Sequence, residues 1–191
     1  MIPIFEQGSG KGIGHSIDSF LRRFNEICKS HIAEKRAKAF ALVLYDFTDN
    51  ALRHILKDQG VFARLDRLSG RNLSLFYLHA GTQHSINKFN ETLLSSLQIN
   101  NQVTLPCVVF FRLSEDGNNF KDIAIAELDH ADLVHGFHEL YEVINRYVSG
   151  IDVEREDGFK FLVWIKGTVR FVSIEAFRAA LQAAFGVLFR P

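Results

Sequence analysis

The chain has 191 residues, of which 47% are hydrophobic, and 18 of them are phenylalanine. So much apolar material can form a sizeable core, which argues against intrinsic disorder. The 22 Lys and Arg residues balance the 22 Asp and Glu residues, so the formal net charge is zero. Nucleic-acid binders usually carry a basic excess, so we expect no nucleic-acid partner. A neutral chain also lacks the charge repulsion that keeps molecules apart, which favours a protein partner or self-association.

The two cysteines, Cys28 and Cys107, lie far apart in the chain. They form no disulfide framework, so a reducing compartment is expected. Residues 1–8 lack the basic and then apolar segments of a signal peptide. No apolar run approaches the roughly 18 residues of a membrane-spanning helix. The sequence therefore predicts a cytoplasmic protein with no membrane association.

Residues 1–38 are predicted to form a glycine-rich loop and a helix. After a short apolar start, four glycines fall within residues 8–14, which is typical of a loop. Ser16 is a candidate N-cap, and apolar residues then recur at spacings of three and four. This spacing predicts an amphipathic helix over residues 16–36.

Residues 39–149 are predicted to form the core of the protein. The predicted elements are, in chain order, strand 39–47, a helix after Asp49, strand 73–79, helix 83–97, strand 107–113, strand 123–128 and helix 130–148. The continuous apolar runs AFALVLYDF and LSLFYLH are typical of strands buried on both faces. Two strand–helix steps followed by a hairpin and a helix predict an α/β fold with a mixed sheet flanked by helices.

Residues 150–191 are predicted to form a linker and an appendage that packs on the core. The linker is the polar, acidic stretch 150–158, and a second β-hairpin and an amphipathic helix follow over residues 159–191. The strand 159–165 is apolar on both sides, so both sides must be covered. The appendage either completes the core or forms an interface. Its candidate interface residues are Trp164, Phe177 and Phe185.

The order of elements in residues 39–149 resembles that of the thioredoxin-like superfamily. Tyr45, Asp46 and Phe47 end the first of these strands much as the family's Val-Asp-Phe does. The sequence Leu105-Pro106-Cys107 enters the third strand where the family places a cis-proline, which predicts a cis bond before Pro106. The resemblance implies that Asp46 matches the family's buried aspartate. It also implies that the region around Pro106 is where relatives bind peptides or glutathione.

The chain departs from the family at the catalytic centre. Thioredoxin chemistry needs a cysteine at the N-terminus of the helix after strand 39–47, where its pKa is lowered. Residues 48–54 contain no cysteine, and none lies between Cys28 and Cys107. The sequence therefore excludes dithiol exchange of the family's usual kind. It favours a non-catalytic, thioredoxin-like module for protein–protein interaction or self-association, with no cofactor.

Two alternatives remain open. Cys107 could form a mixed disulfide or sense oxidants, although such a residue is more often a small buried hydrophobe. Residues 8–14, with Lys11 before a helix N-terminus, could bind a phosphate or nucleotide. The Walker pattern is not met, because Gly12 follows Lys11 and Phe5 stands where the first glycine belongs. The loop also does not follow a convincing buried strand.

Histidines occur at two places that are candidates for a metal or ligand-binding site. Three of them share the last predicted helix of the core: His130, His135 and His138. They lack HExxH spacing and a second ligating element, so a solvated helix face is expected there rather than a metal site. His79 and His84 flank the end of strand 73–79, where ligands often bind in open α/β sheets.

Overall fold

Seven strands and two helices make up most of the described part of the chain. The computed structural model describes residues 2–5, 14–37, 39–46, 67, 72–79, 82–96, 103–113, 120–127, 144, 145, 147 and 162–164. The strands are β1 (Ile2–Phe5), β2 (His15–Ser16), β3 (Ala39–Leu44), β4 (Leu73–His79), β5 (Cys107–Leu113), β6 (Phe120–Glu127) and β7 (Leu162–Trp164). The helices are α1 (Ile17–Ala33) and α2 (Gln83–Ser96).

The strands form one mixed sheet in the order β2-β1-β4-β3-β5-β6-β7. Strand β1 pairs in parallel with β2 and β4, and β3 pairs in parallel with β4. From β3 onward the pairing is antiparallel, through β5 and β6 to β7. The α/β class and the mixed sheet predicted from the sequence are confirmed.

Several predicted elements agree closely with the structure. Strands β4 and β5 have the predicted bounds, and α2 ends one residue before its predicted end. Ser16 is the N-cap of α1, because its side chain accepts a hydrogen bond from the Ser19 N–H at 3.1 Å. The predicted cis bond between Leu105 and Pro106 is present. Strand β6 begins at Phe120, earlier than predicted.

Strand β1 was not predicted from the sequence. Its four residues show too little alternation for a strand signal, yet Ile2 and Ile4 are buried where β1 lies between β2 and β4. The pairing that makes this segment a strand comes from β4, about 70 residues later in the chain. The expectation that the glycine-rich loop follows no buried strand is therefore wrong.

Aromatic side chains form the core between α1 and the sheet. The rings of Phe20 and Phe24 on α1 lie 5.2 Å apart. Phe20 lies 5.3 Å from Phe76 on β4, and Phe24 lies 5.7 Å from Phe111 on β5. Phe40 on β3 stacks on Phe111 at 5.6 Å. These contacts define the α1 face of the sheet, the face on which Phe40, Phe76 and Phe111 lie.

The opposite face of the sheet is also packed against helical residues. Phe110 precedes Phe111 on β5 and therefore points to the opposite face. The Phe110 ring lies 5.2 Å from the ring of Tyr147, a residue in helical conformation. The Arg112 guanidinium lies 4.5 Å from the centre of the same ring, within the range of a cation–π contact. The described residues thus place helical chain on both faces of the sheet.

The predicted C-terminal appendage contributes a strand to this sheet. In β7 the backbone of Trp164 pairs with Ala124 of β6. Residues 150–158 and the candidate interface residues Phe177 and Phe185 lie outside the described residues, so those predictions stay predictions. Within the described ranges, no helix combines the length and apolar character needed to cross a bilayer.

Candidate functional site

Several of the predicted site residues meet at one edge of the sheet, where β3 and β4 end. Asp46 follows the end of β3 and is half-buried. Cys107 pairs with Leu44, so Pro106 and Cys107 lie at the same edge as Asp46. His79 ends β4 at this edge and is exposed. The topology therefore brings together residues that are up to about 60 positions apart in the chain.

Cys107 is buried, with 0% of its surface exposed, and it is not part of a disulfide. Desolvation, and then the Glu127 carboxylate on the facing strand β6, raise the pKa of the Cys107 thiol to about 12. A thiol with such a pKa is protonated at neutral pH and is a poor nucleophile. Burial also raises the pKa of the Cys28 thiol on α1. These observations do not support a redox role for Cys107.

Glu127 also holds the segment in front of Pro106. Its Oε1 accepts a hydrogen bond from the Thr104 backbone N–H at 2.7 Å. Thr104 is exposed, whereas Val103 and Leu105 are half-buried and pack against the core. Residues 103–105, which we call the 103–105 strip, therefore present partly exposed apolar side chains beside the end of β3.

Buried hydrogen bonds fix the backbone at this edge. The Tyr45 hydroxyl donates to the Leu78 carbonyl at 2.6 Å, which joins the end of β3 to the end of β4. The Asn90 side-chain amide on α2 donates to the Tyr45 carbonyl at 2.8 Å. Because these groups are buried, each bond satisfies a polar atom that would otherwise be costly to bury. The residue directly before Asp46 is thus tied to two neighbouring elements.

The two histidines near the end of β4 lie on the surface. The His79 ring makes edge-on contacts with Phe5 at 5.7 Å and Tyr77 at 6.4 Å. His84, in the first turn of α2, is exposed. In the part of the chain that the structure describes, no group of three or more His, Cys, Asp or Glu side chains could hold a metal ion. Three histidines considered above lie outside that part: His130, His135 and His138.

The glycine-rich stretch of the sequence falls between the parallel strands β1 and β2. Phe5 pairs with Ser16, so β1 ends beside the N-terminus of α1. Lys11 and most of the loop lie outside the described residues. Phosphate or nucleotide binding by this loop stays a prediction.

Two histidines that the sequence did not single out lie on the α1 face. His31 is 4% exposed, and its Nδ1 lies 2.8 Å from the Ser74 Oγ. His15 has a buried Nε2 with no hydrogen-bond partner among the described residues. His31 follows Cys28 by three residues and thus continues the apolar stripe of α1, a signal that could have identified it. His15 lies in a two-residue strand, which carries no comparable pattern.

Both of these histidines have a lowered pKa. Desolvation is the main cause for His31, followed by the charges of Arg36 and His15, and its pKa falls to about 4 despite the opposing charge of Glu34. The pKa of His15 is lowered by desolvation and then by Arg36 and Arg23. At neutral pH, His31 is therefore an uncharged ring.

The fold and the site define the class of protein: an α/β protein with a mixed sheet and one buried thiol, that of Cys107, at its candidate site. No protein-family model, curated protein or solved structure matches the chain. The function is therefore argued from the residues and their geometry.

Proposed function

We propose that the chain is a non-catalytic, thioredoxin-like module that binds a protein partner or a second copy of itself. The observation behind this proposal is the full burial of both thiols in the chain. Thiol exchange needs an accessible thiolate, and the pKa of Cys107 is about 12. A thiol that is both buried and protonated contributes to packing of the core rather than to thiol exchange.

The order of strand pairing supports the thioredoxin-like part of the proposal. Strands β3 and β4 pair in parallel, and the β5–β6 hairpin continues the sheet in antiparallel pairing on the other side of β3. This is the arrangement that the resemblance implies for two strand–helix steps followed by a hairpin. The stretch 48–54, where the family's reactive cysteine belongs, contains none.

The 103–105 strip is the surface that we assign to the partner. It presents Val103 and Leu105 as partly exposed apolar side chains, and the hydrogen bond from Thr104 to Glu127 holds it in place. A fixed surface loses little conformational entropy when a partner binds. The zero net charge of the chain adds no long-range repulsion between copies.

The test is affinity capture from the source cell with tagged wild-type, Cys107→Ser and Val103→Asp proteins, read by mass spectrometry. The proposal expects a partner captured equally by wild type and Cys107→Ser, because the thiol is not used. It expects that partner to be lost with Val103→Asp, because a charge replaces an apolar contact. Ser95→Asp is the matched control, since it adds the same charge at an exposed position on α2.

Sedimentation equilibrium of the purified proteins tests self-association in the same variants. A dimer that dissociates with Val103→Asp and persists with Ser95→Asp would identify a second copy as the partner. A partner lost only with Cys107→Ser would point to thiol chemistry instead. A strictly monomeric protein that captures no specific partner would count against the proposal.

A further inference from the structure

A polar cluster lies within the aromatic core where α1 meets the sheet. His31, in the last turn of α1, stacks on the Phe76 ring at 5.8 Å and lies 6.1 Å from Phe40. Its Nδ1 is 2.8 Å from the Ser74 Oγ on β4. His15 on β2 lies 6.3 Å from the same Phe76 ring. One phenylalanine of β4 thus contacts histidines from two elements.

The charges around these histidines are mostly positive. Arg36 lowers the pKa of both rings, and Arg23, which pairs with Glu26 at 2.7 Å, lowers the pKa of His15. Glu34 is the carboxylate that opposes them at His31, and it already pairs with Arg36 at 3.7 Å. A proton added to either histidine therefore enters an apolar, already positive environment.

The strands packed against His31 supply no compensating charge. Strand β3 contains no ionisable residue. Strand β4 contains two ionisable residues, Tyr77 and His79, and both alternate to the face opposite Ser74. The hydrogen bond to Ser74 can survive protonation, because a hydroxyl can accept from the imidazolium. Protonation of His31 is thus unfavourable because it buries a positive charge, and not because it breaks the hydrogen bond to Ser74.

We propose that His15, His31 and Ser74 form an acid-released latch, which holds α1 and β2 on the sheet at neutral pH and lets them detach when the histidines are protonated. The latch joins elements from three parts of the chain through one buried cluster. Its release separates β2 from β1 and exposes the phenylalanines of the α1 face, while β3, β4 and β5 remain paired. The proposal does not depend on the function of the 103–105 strip.

The test is amide hydrogen exchange of the full chain at about pH 7 and about pH 5, corrected for intrinsic exchange rates. The His31 pKa lies near 4 in the attached state and near 6.5 when the ring is free. Protonation of His31 alone then lowers the protection of α1 amides by about twenty-fold between these conditions. Amides of β3, β4 and β5 are expected to keep their protection.

The variant His31→Gln keeps a side chain that can bond Ser74 and removes the titrating ring, so the acid-induced loss in α1 should disappear. His84→Gln, at an exposed position on α2, is the matched control and should behave as wild type. An equal loss in His31→Gln, or an equal loss in the core strands, would overturn the latch.

A second measurement uses wild type alone, should His31→Gln fail to fold. The His31 ring is titrated by NMR, and we expect its pKa to lie at least about one unit below that of a free histidine. A pKa for His31 at or above the free value would overturn the proposal.

Discussion

Burial acts in opposite directions on the pKa values of Cys107 and His31, which are both titratable side chains of the core. Desolvation penalises the charged form, which is the thiolate of Cys107 and the cation of His31. The pKa of Cys107 therefore rises to about 12, and that of His31 falls to about 4. In the unfolded chain, His31 becomes protonated below about pH 6.5. In the folded chain, its ring stays neutral until the pH falls to about 4. The stability that His31 contributes, on the order of 2 to 3 kcal/mol, is thus present above pH 6.5 and is lost as the pH falls through this window.

Cys107 is expected to resist alkylation by iodoacetamide in the native protein at neutral pH. The reagent needs an accessible thiolate, and this thiol is both buried and protonated. Both cysteines should react once the chain is unfolded in denaturant. The Ser95→Cys variant provides a native-state control, because its introduced thiol lies at an exposed position. Mass spectrometry that found Cys107 modified as fast as this control thiol would contradict the prediction.

At the scale of elements, local patterns identified most strands and helices, and pairing then adjusted their ends. Strand β4 is one continuous apolar run, so its bounds followed from residue type. Strand β6 begins at Phe120 because Arg112 and Leu113 of β5 extend the ladder beyond the apolar run that starts at Ile123. Helix α1 contains a kink at Arg23, with φ −117° and ψ 15°, that the apolar spacing of α1 does not indicate.

Ser16→Ala is expected to lower the free energy of unfolding by about 1 kcal/mol, because it removes the N-cap of α1. Ser16→Asp should retain most of that stability, since a carboxylate can accept the same hydrogen bond from the Ser19 N–H. Urea denaturation measures both changes. Ser95→Ala, on the exposed side of α2, serves as the control. Equal stability of wild type and Ser16→Ala would show that the cap is dispensable.

At the scale of the whole molecule, the sheet is completed by the segment before the glycine-rich loop. Strand β1 joins β2 to β4, so the two residues of β2 belong to the sheet only through β1. Ile4, the fourth residue of the sequence, has 0% of its surface exposed. A segment with a weak local signal thus becomes a core strand through long-range pairing.

Ile4→Ala is therefore expected to destabilise the protein by about 2 to 5 kcal/mol, the usual cost of truncating a buried aliphatic side chain. Chemical denaturation followed by circular dichroism measures the change. Glu91→Ala, on the exposed side of α2, should stay within about 0.5 kcal/mol of wild type. A similarly small effect of Ile4→Ala would mean that β1 does not contribute to the core.

The sequence by itself determined the α/β class, the central strands, the Ser16 cap and the absence of a paired-cysteine centre, since these depend on residue type and local spacing. The tertiary structure alone decided the strand role of residues 2–5, the full burial of Cys107 beside Glu127, and the contact of His15 and His31 on Phe76. The physical reason is that burial and charge environment arise from residues distant in the chain. Hydrophobic periodicity reports which face of an element is covered, but it does not report which residues cover it.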